Sequence, residues 1–323
     1  MEETIDTIVH TLPICSERKL AYSTFTIIKV YRNGEVYVAE FDNPSIFLLR
    51  NGRAIPIVKT KRIINGKTIL ESKFRLDRES LLVAVSDGVV HAGVGVNLDL
   101  GWEWHNVKQY LKELSLSEKT ASTVTERVLS QCQKLYNNKA GDDTTVIAVK
   151  IRERETINLL TGPPKNPQSD FAVIQKILRA EGKVVVCGGT TANIVAKQMG
   201  CEVEIDLSTM TPDIPPIAYI PNIALTTEGV ITINKAVGLL KLYIEAPWNI
   251  KLKKLFQEKN AASMLAKLLL EDCDKLNIWM GQAVNPAHQE ENFSMNFDFK
   301  SHQIHELARL VKSLGREVHI YYI

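Results

Sequence analysis

Cysteine is scarce in this chain and is never found at metal-binding spacing. Five cysteines occur among 323 residues, and no two of them form a CxxC pattern. They are Cys15, Cys132, Cys187, Cys201 and Cys273. A disulfide scaffold or a cysteine-based zinc site would need a paired or clustered set. The cysteine pattern therefore argues against both and is typical of a protein kept in a reducing compartment.

The chain also lacks long apolar runs and a bias of charge. No apolar stretch approaches the roughly 20 residues that a membrane span requires, and no basic-then-apolar signal opens the sequence. The net charge is +2, from 39 basic and 37 acidic residues, which gives no electrostatic case for nucleic acid or an anionic membrane. We therefore expect a cytoplasmic protein without a nucleic-acid or membrane partner.

The chain does contain two apolar runs that each have aspartate at one end. Leu81–His91 reads LLVAVSDGVVH, and Gly141–Val149 reads GDDTTVIAV. Apolar runs of this length predict buried strands. If the strands are adjacent, Asp87 and Asp142 lie within roughly 10 Å at one end of a sheet, where carboxylates suit hard divalent cations. The alternative is that both are turn residues, because Asp-Gly and Gly-Asp favour turns.

These motifs resemble the sequence motifs of a known phosphatase family. SDGVVHAG is followed by GWEW (Gly101–Trp104) and by GDDTTV, and it is preceded by EFDNPSIFLLRNG (Glu40–Gly52). TLPIC (Thr11–Cys15) and AYSTFTII (Ala21–Ile28) extend the pattern towards the start. Residues 1 to 151 thus resemble the sporulation-stage-II-E (SpoIIE) branch of the PPM, or PP2C-like, metal-dependent serine/threonine phosphatases.

This resemblance implies a fold, a reaction and a site. The fold would be a PP2C-like α-β-β-α sandwich of the α+β class, with mostly antiparallel sheets. The reaction would be hydrolysis of phosphoserine or phosphothreonine in a protein substrate in bacterial signalling, by water activated on two Mn²⁺ or Mg²⁺ ions. Asp87 and Asp142 would hold metal and act through the metal-bound water. Asp143 would support the site, and Gly88 would allow a close backbone approach.

One motif of that family has no counterpart in this chain. Its members begin with strands that carry a further acidic residue and a DG-x-G aspartate that bridges both metals, whereas Asp87-Gly88 is the only Asp-Gly here. We therefore expect a domain that lacks its amino-terminal strands, has an incomplete metal site and shows little activity by itself. Two alternatives stay open: a non-catalytic, phosphatase-like binding or regulatory module, and a fragment whose missing segment supplies the bridging ligand.

Turn signals predict that the first half is rich in hairpins. Asn-Gly is a strong hairpin signal, and it occurs between strand-like runs at 33–34, 51–52 and 65–66. The Asp-Asn-Pro turn at 42–44 is interpreted as a further link in the same antiparallel arrangement. Two covering helices are predicted at Trp104–Leu114 and Ser117–Tyr136, the second of them capped by Ser117.

The pattern changes after a proline-rich run. Residues 152–169 end in TGPPKNPQS, which predicts a linker, and helix–strand alternation follows. We predict a phosphatase domain over residues 1–153 and a smaller α/β regulatory or ligand-binding domain over residues 154–323.

Two loops of the second domain are candidates for a ligand pocket. CGGTTAN (Cys187–Asn193) and GQAVNPAH (Gly281–His288) both follow predicted strands. Backbone amides at a helix start favour anions, so we expect a small anionic effector to contact Gly188, Gly189 and Thr190. The alternative is an ordinary strand-to-helix turn.

Overall fold

A computed structural model describes residues 2–12, 23–118, 120–139, 141–166, 170–247, 249–283 and 293–323. The chain divides into two compact units, Met1–Glu153 and Arg154–Ile323. None of the helices in these ranges is long and apolar enough to cross a membrane.

The first unit is built from two sheets and their covering helices. Its elements are α1 (Glu2–Thr11), β1 (Phe25–Val30), β2 (Glu35–Phe41), β3 (Phe47–Arg50), β4 (Arg53–Ala54), β5 (Thr60–Ile64), β6 (Lys67–Arg75), β7 (Ser80–Val85), α2 (Asp87–Val90), α3 (Trp104–Ser117), α4 (Ala121–Leu135) and β8 (Val146–Lys150). One sheet has the order β1-β2-β6-β5 and the other has the order β4-β3-β7-β8. Every pairing in both sheets is antiparallel.

The packing of the first unit forms four layers. Alternate residues of the strands, such as Val38 and Leu82, face each other between the two sheets. Ile5 and Val9 of α1 pack on the outer face of the first sheet. Helices α3 and α4 cover the outer face of the second sheet, where residues such as Leu111 are fully buried. The unit is therefore an α-β-β-α sandwich with antiparallel sheets, and the fold expected from the resemblance is confirmed.

Two local predictions in the first unit were wrong. The turn at 42–44 does not continue one antiparallel arrangement, because β2 pairs with β6 whereas β3 pairs with β7 in the other sheet. The cap of α4 is Thr120, whose side chain accepts a hydrogen bond from the Thr123 amide. Ser117 is the last residue of α3, and its hydroxyl donates to the Glu113 carbonyl oxygen at 3.2 Å.

The second unit is a sheet with helices on both faces. Its elements are β9 (Thr156–Thr161), α5 (Asp170–Leu178), β10 (Lys183–Cys187), α6 (Gly189–Met199), β11 (Glu204–Asp206), β12 (Ile217–Tyr219), β13 (Leu225–Thr227), α7 (Val230–Glu245), α8 (Ile250–Gln257), α9 (Ala261–Lys267), β14 (Lys275–Met280), α10 (Phe293–Ser313) and β15 (Glu317–Tyr322). The sheet order is β11-β12-β13-β10-β9-β14-β15. The five strands from β13 to β15 run parallel, and β11 and β12 add an antiparallel edge.

The two faces of this sheet are covered by different parts of the chain. Helices α5 and α6 pack on one face, through residues such as Ile174 and Val195. Helices α7, α9 and α10 pack on the other, through residues such as Ile233, Leu265 and Ile304. The unit is therefore a doubly wound, mostly parallel α/β fold of the kind expected from helix–strand alternation.

Two predictions about the second unit were wrong. Residues Thr156–Thr161 were assigned to the linker, but they form β9, the strand that lies between β10 and β14. Five of its six residues are buried, which is why the strand is apolar on both faces. The second unit was also expected to be smaller than the first, but Arg154–Ile323 is the longer of the two.

Candidate functional site: a carboxylate edge

The two sequence motifs meet at one edge of the second sheet of the first unit. Strands β7 and β8 are antiparallel, with Val85 opposite Val146. The carboxyl end of β7 and the amino end of β8 therefore lie side by side. Asp87 follows β7 as the first residue of α2, and Asp142 precedes β8. The register thus brings both aspartates to the same edge, which we name the carboxylate edge and define by Asp87, Asp142 and Asp143.

Ser86 fastens the two motifs to each other. Its amide donates to the Thr145 carbonyl oxygen at 3.0 Å. Its hydroxyl accepts from the Thr145 amide at 2.9 Å and donates to the Asp143 carbonyl oxygen at 3.1 Å. The ladder of β7 and β8 therefore continues past both strands, and the loop that carries Asp142 and Asp143 is held against the start of α2.

Gly88 lies where the backbones approach most closely. A Cβ atom at this position would be 2.5 Å from the Asp143 carbonyl oxygen, so any side chain would force the two loops apart. The Gly88 carbonyl oxygen accepts a hydrogen bond from the Tyr136 hydroxyl at 3.0 Å. Gly141 is similarly restricted, because a Cβ there would overlap the Tyr136 ring.

Each metal-candidate carboxylate accepts one local backbone hydrogen bond. Asp87 Oδ1 accepts from the Gly88 amide at 2.9 Å, and Asp142 Oδ1 accepts from the Asp143 amide at 2.8 Å. All three aspartates of the carboxylate edge are exposed. The hydrogen bonds fix how the side chains leave the backbone, and the exposure leaves the edge open to a large substrate.

Tyr136 connects both aspartates electrostatically. Burial is the largest cause that raises the pKa of its phenol, followed by the negative charge of Asp142, with smaller contributions from Cys132 and Asp87. This agrees with the geometry, because the Tyr136 ring lies against Gly141, next to Asp142, and its hydroxyl contacts Gly88, next to Asp87.

The donor set fits a hard divalent cation in part. Carboxylate oxygens are the ligands that Mg²⁺ and Mn²⁺ prefer, and Mg²⁺ is often held by one or two carboxylates with water and phosphate oxygens completing its shell. Asp87 and Asp142 supply such a pair. In the part of the chain that the structure describes, however, no three histidine, cysteine, aspartate or glutamate side chains gather closely enough to hold a metal.

Sequence reasoning missed the residues that position the edge. Ser86 and Tyr136 contact the backbone of their neighbours, and Asn43 does the same from the connection between β2 and β3. Its amide donates to the Val85 carbonyl oxygen at 3.3 Å and to the Thr26 hydroxyl at 2.7 Å. Ser86 and Asn43 are part of the SDG and DNP motifs, but the sequence does not show which groups they contact, and the folded chain does.

The second candidate site lies at the start of α6. Gly188 has φ of +129°, and its amide donates to the Thr227 carbonyl oxygen at 2.8 Å. Gly189 begins the helix, and Thr190 is exposed. A Cβ on Gly189 would lie 3.2 Å from Glu228 Oε1, so a carboxylate already lies beside the expected anion position. Of the other candidate loop, residues 284–288 lie outside the described residues.

One family model matches part of the chain. Residues 2–152 match the family model for Stage II sporulation protein E (SpoIIE). A search of curated proteins returns no match for the chain.

Several solved structures are similar to part of the chain. The Mn-presoaked phosphatase domain of the cell fate determinant SpoIIE from Bacillus subtilis shares 20% identity over 47% of this chain and 67% of its own, with a TM-score of 0.36. The same domain in a crystal form without domain swapping shares 20% identity over 46% and 63%, with a TM-score of 0.36. The RsbU and RsbW domains of a Mycobacterium tuberculosis protein share 14% identity over 55% and 48%, with a TM-score of 0.34.

Proposed function

We propose that residues 2–152, a domain of the SpoIIE branch of PPM-type phosphatases, hydrolyse phosphoserine or phosphothreonine in a protein substrate with Mn²⁺ or Mg²⁺. The observation that carries the proposal is the carboxylate edge itself. Two aspartates 55 positions apart in the sequence are brought to one end of one pair of strands. Both carboxylates are exposed there, as binding of a hydrated divalent cation requires.

The residues of the edge have separate roles in this proposal. Asp87 and Asp142 would hold the cation, and Asp143 would add negative charge beside them. When bound, the cation supplies an activated water and neutralises phosphoryl oxygens. Gly88 permits the close approach of the loops, while Ser86 and Tyr136 hold the backbone that presents the carboxylates.

The openness of the edge favours a protein substrate. An enclosed pocket would select a small phosphate ester, whereas exposed aspartates are accessible to a phosphorylated loop of another protein. Cys132, Cys187 and Cys201 form no disulfide, which supports a reducing, cytoplasmic setting for a signalling role.

Release of phosphate from a phosphoserine peptide tests the proposal. We expect slow release with Mn²⁺ or Mg²⁺, because the described residues offer only two carboxylates to the cation. We expect none in excess EDTA, because two carboxylates alone cannot activate water or neutralise a phosphoryl group. Malachite-green detection measures the product, and Asp99→Asn, the same chemical change on an exposed loop, serves as the control variant. Release that EDTA leaves unchanged would contradict the metal mechanism.

A second candidate function is a phosphatase-like module that binds without catalysis. The observation in its favour is that the described residues assemble no third ligand beside Asp87 and Asp142. This candidate predicts that Mn²⁺ binds, that a phosphopeptide binds in its presence, and that no phosphate is released.

We further propose that residues 154–323 are a regulatory domain that folds independently. This unit buries its own two apolar clusters, one on each face of its sheet. Expressed alone, it is expected to unfold in one cooperative thermal transition, because its core contains no residue of the first unit. Circular dichroism measures the transition, and an insoluble or non-cooperative product would contradict independent folding.

A further inference from the structure

The winding of the second unit creates a switch point. The five parallel strands, β13-β10-β9-β14-β15, have the order 3-2-1-4-5 when numbered as they occur along the chain. The chain leaves β9 towards β10 and later returns to its other side at β14. In open α/β sheets, ligands bind outside the carboxyl ends of the strands at this reversal. The reversal lies between the ends of β9 and β14.

A lysine reaches the carboxyl end of β9 from another element. Lys300 of α10 places its Nζ 3.3 Å from the Thr161 carbonyl oxygen, and a Cβ on Gly162 would lie 2.1 Å from that nitrogen. Gly162 has φ of +78°, which also favours glycine. The end of β9 is therefore shaped around an ammonium group, and the Lys300 side chain is half-buried.

The charge of Lys300 is not balanced by the groups described around it. Its hydrogen-bond partner is a carbonyl oxygen, which is neutral. The nearby Cys187 thiol is fully buried, and burial raises its pKa to about 11, so it provides no anion at neutral pH. Burial also lowers the pKa of Lys300. Among the residues that the structure describes, no carboxylate pairs with this ammonium group, and a partly buried ammonium group without such a partner costs stability, which is characteristic of binding sites.

Backbone groups of the segments after β9 and β14 contact each other at the reversal. The Gly281 amide, just after β14, donates to the Thr161 carbonyl oxygen at 2.9 Å. A Cβ on Gly281 would lie 2.1 Å from the Pro163 carbonyl oxygen, so the loops after β9 and β14 pack directly against each other. Gly188 continues the glycine-lined rim beyond β10. We name this region the switch-point crevice, bounded by Gly162, Gly188, Gly281, Glu228 and Lys300.

Glu228 places a carboxylate at the end of the crevice opposite Lys300. It follows β13, is exposed, and lies beside the start of α6. β13 is two strands from β9, so the Glu228 and Lys300 ends of the crevice are about 10 Å apart at the usual strand spacing. A carboxylate disfavours a second anion at that end but accepts hydrogen bonds from hydroxyl groups.

We propose that the switch-point crevice binds a nucleoside monophosphate, with the phosphate on Lys300 and the ribose hydroxyls on Glu228. The length, the positive end and the hydroxyl-accepting end all match this class of ligand. The anion would therefore lie on Lys300 rather than on Gly188, Gly189 and Thr190, and these three residues would lie beside the sugar. The proposal concerns the second unit alone and is independent of any reaction at the carboxylate edge.

Calorimetric titration of the full chain with AMP in excess EDTA tests this assignment. We expect AMP to bind more tightly than inorganic phosphate or adenosine, because each of those lacks one end of the contact. Lys300→Met should weaken AMP binding at least about tenfold, since it removes the cation that pairs with the phosphate. Lys197→Met, on an exposed position of α6, should leave AMP binding unchanged.

Two further measurements separate a binding role from a structural one. Lys300→Met should leave the melting temperature of the ligand-free chain unchanged or higher, because replacing an uncompensated buried charge by an apolar group relieves its desolvation. Glu228→Gln should weaken the binding of AMP and of adenosine but not the binding of phosphate.

Equal binding of AMP by wild type and Lys300→Met, or no binding by wild type, would overturn the proposal. If Lys300→Met does not fold, the lysine is structural and the proposal fails unless Glu228→Gln shows the selective loss. Asp87→Asn should bind AMP normally, so failure here is distinct from failure at the carboxylate edge.

Discussion

Asp87→Asn is expected to lower the metal-dependent release of phosphate at least about 100-fold, because it removes one of the two carboxylates presented to the cation. Loss of groups that merely orient metal ligands already costs about 10–100-fold, and loss of a ligand should cost at least as much. The side chain keeps its size, and its oxygen can still accept from the Gly88 amide. Since Asp87 is exposed, we expect its free energy of unfolding to change by no more than about 0.5 kcal/mol.

Three comparisons make the Asp87→Asn result specific. Mn²⁺ binding followed by calorimetry should weaken in parallel with turnover, and thermal unfolding without metal should not change. Asp142→Asn should have a similar effect, and the double variant should be little worse than either single one because both act on the same ion. Asp99→Asn should behave as wild type. Full turnover by Asp87→Asn would remove this residue from the metal site.

Glu40→Gln is expected to destabilise the first unit by about 3–5 kcal/mol, because it breaks a buried ion pair and leaves one partner without its counter-charge. The Glu40 side chain is 2% exposed and forms a salt bridge with Lys59. Its Oε1 also accepts from the Ile46 amide at 2.9 Å. Lys59 donates in turn to the Ser45 hydroxyl at 2.9 Å, so the pair fixes the turn by which the chain crosses from β2 to β3.

Chemical denaturation measures the effect of Glu40→Gln. The matched control is Glu153→Gln, which breaks the exposed pair of Glu153 and Arg78, and surface pairs of this kind contribute about 0–1 kcal/mol. A double-mutant cycle with Lys59→Met should show a coupling energy between the buried Glu40 and the partly buried Lys59. A loss below about 1 kcal/mol for Glu40→Gln would mean that the buried pair is not essential to the crossover.

The carboxylate edge was largely predictable because its information is local. Asp87 lies two residues after β7, which is fully buried, and Asp142 lies four residues before β8. The expectation of a buried strand was wrong for β8, whose residues are only partly buried or exposed, but the apolar runs still place both aspartates near strand ends, and antiparallel pairing brings these ends together. The crossover at 42–44 was not predictable in this way. A turn sequence specifies a reversal of direction, but not whether the next strand joins the same sheet, and that choice depends on the pairings of β2 with β6 and of β3 with β7.

The second unit shows the same limit more strongly. β12 and β13 have three residues each and lie in or beside a proline-rich stretch, so they become strands only through their neighbours. β9 was hidden by the prolines that follow it. Lys300 and Glu228 have no distinguishing sequence pattern around them. They are candidate ligand contacts only because the strand order places them on opposite sides of β10.

The Ser86 linkage has a consequence for how this domain can change over time. The geometry of Asp87 and Asp142 depends on the register of β7 and β8, not on the length of the chain between them. Insertions or deletions in the exposed stretch at 94–100 would leave that register intact, because loop length costs little. A slip of β8 by one residue would instead turn every one of its side chains to the other face. The segment between the two aspartates can therefore vary while their relative placement stays constant.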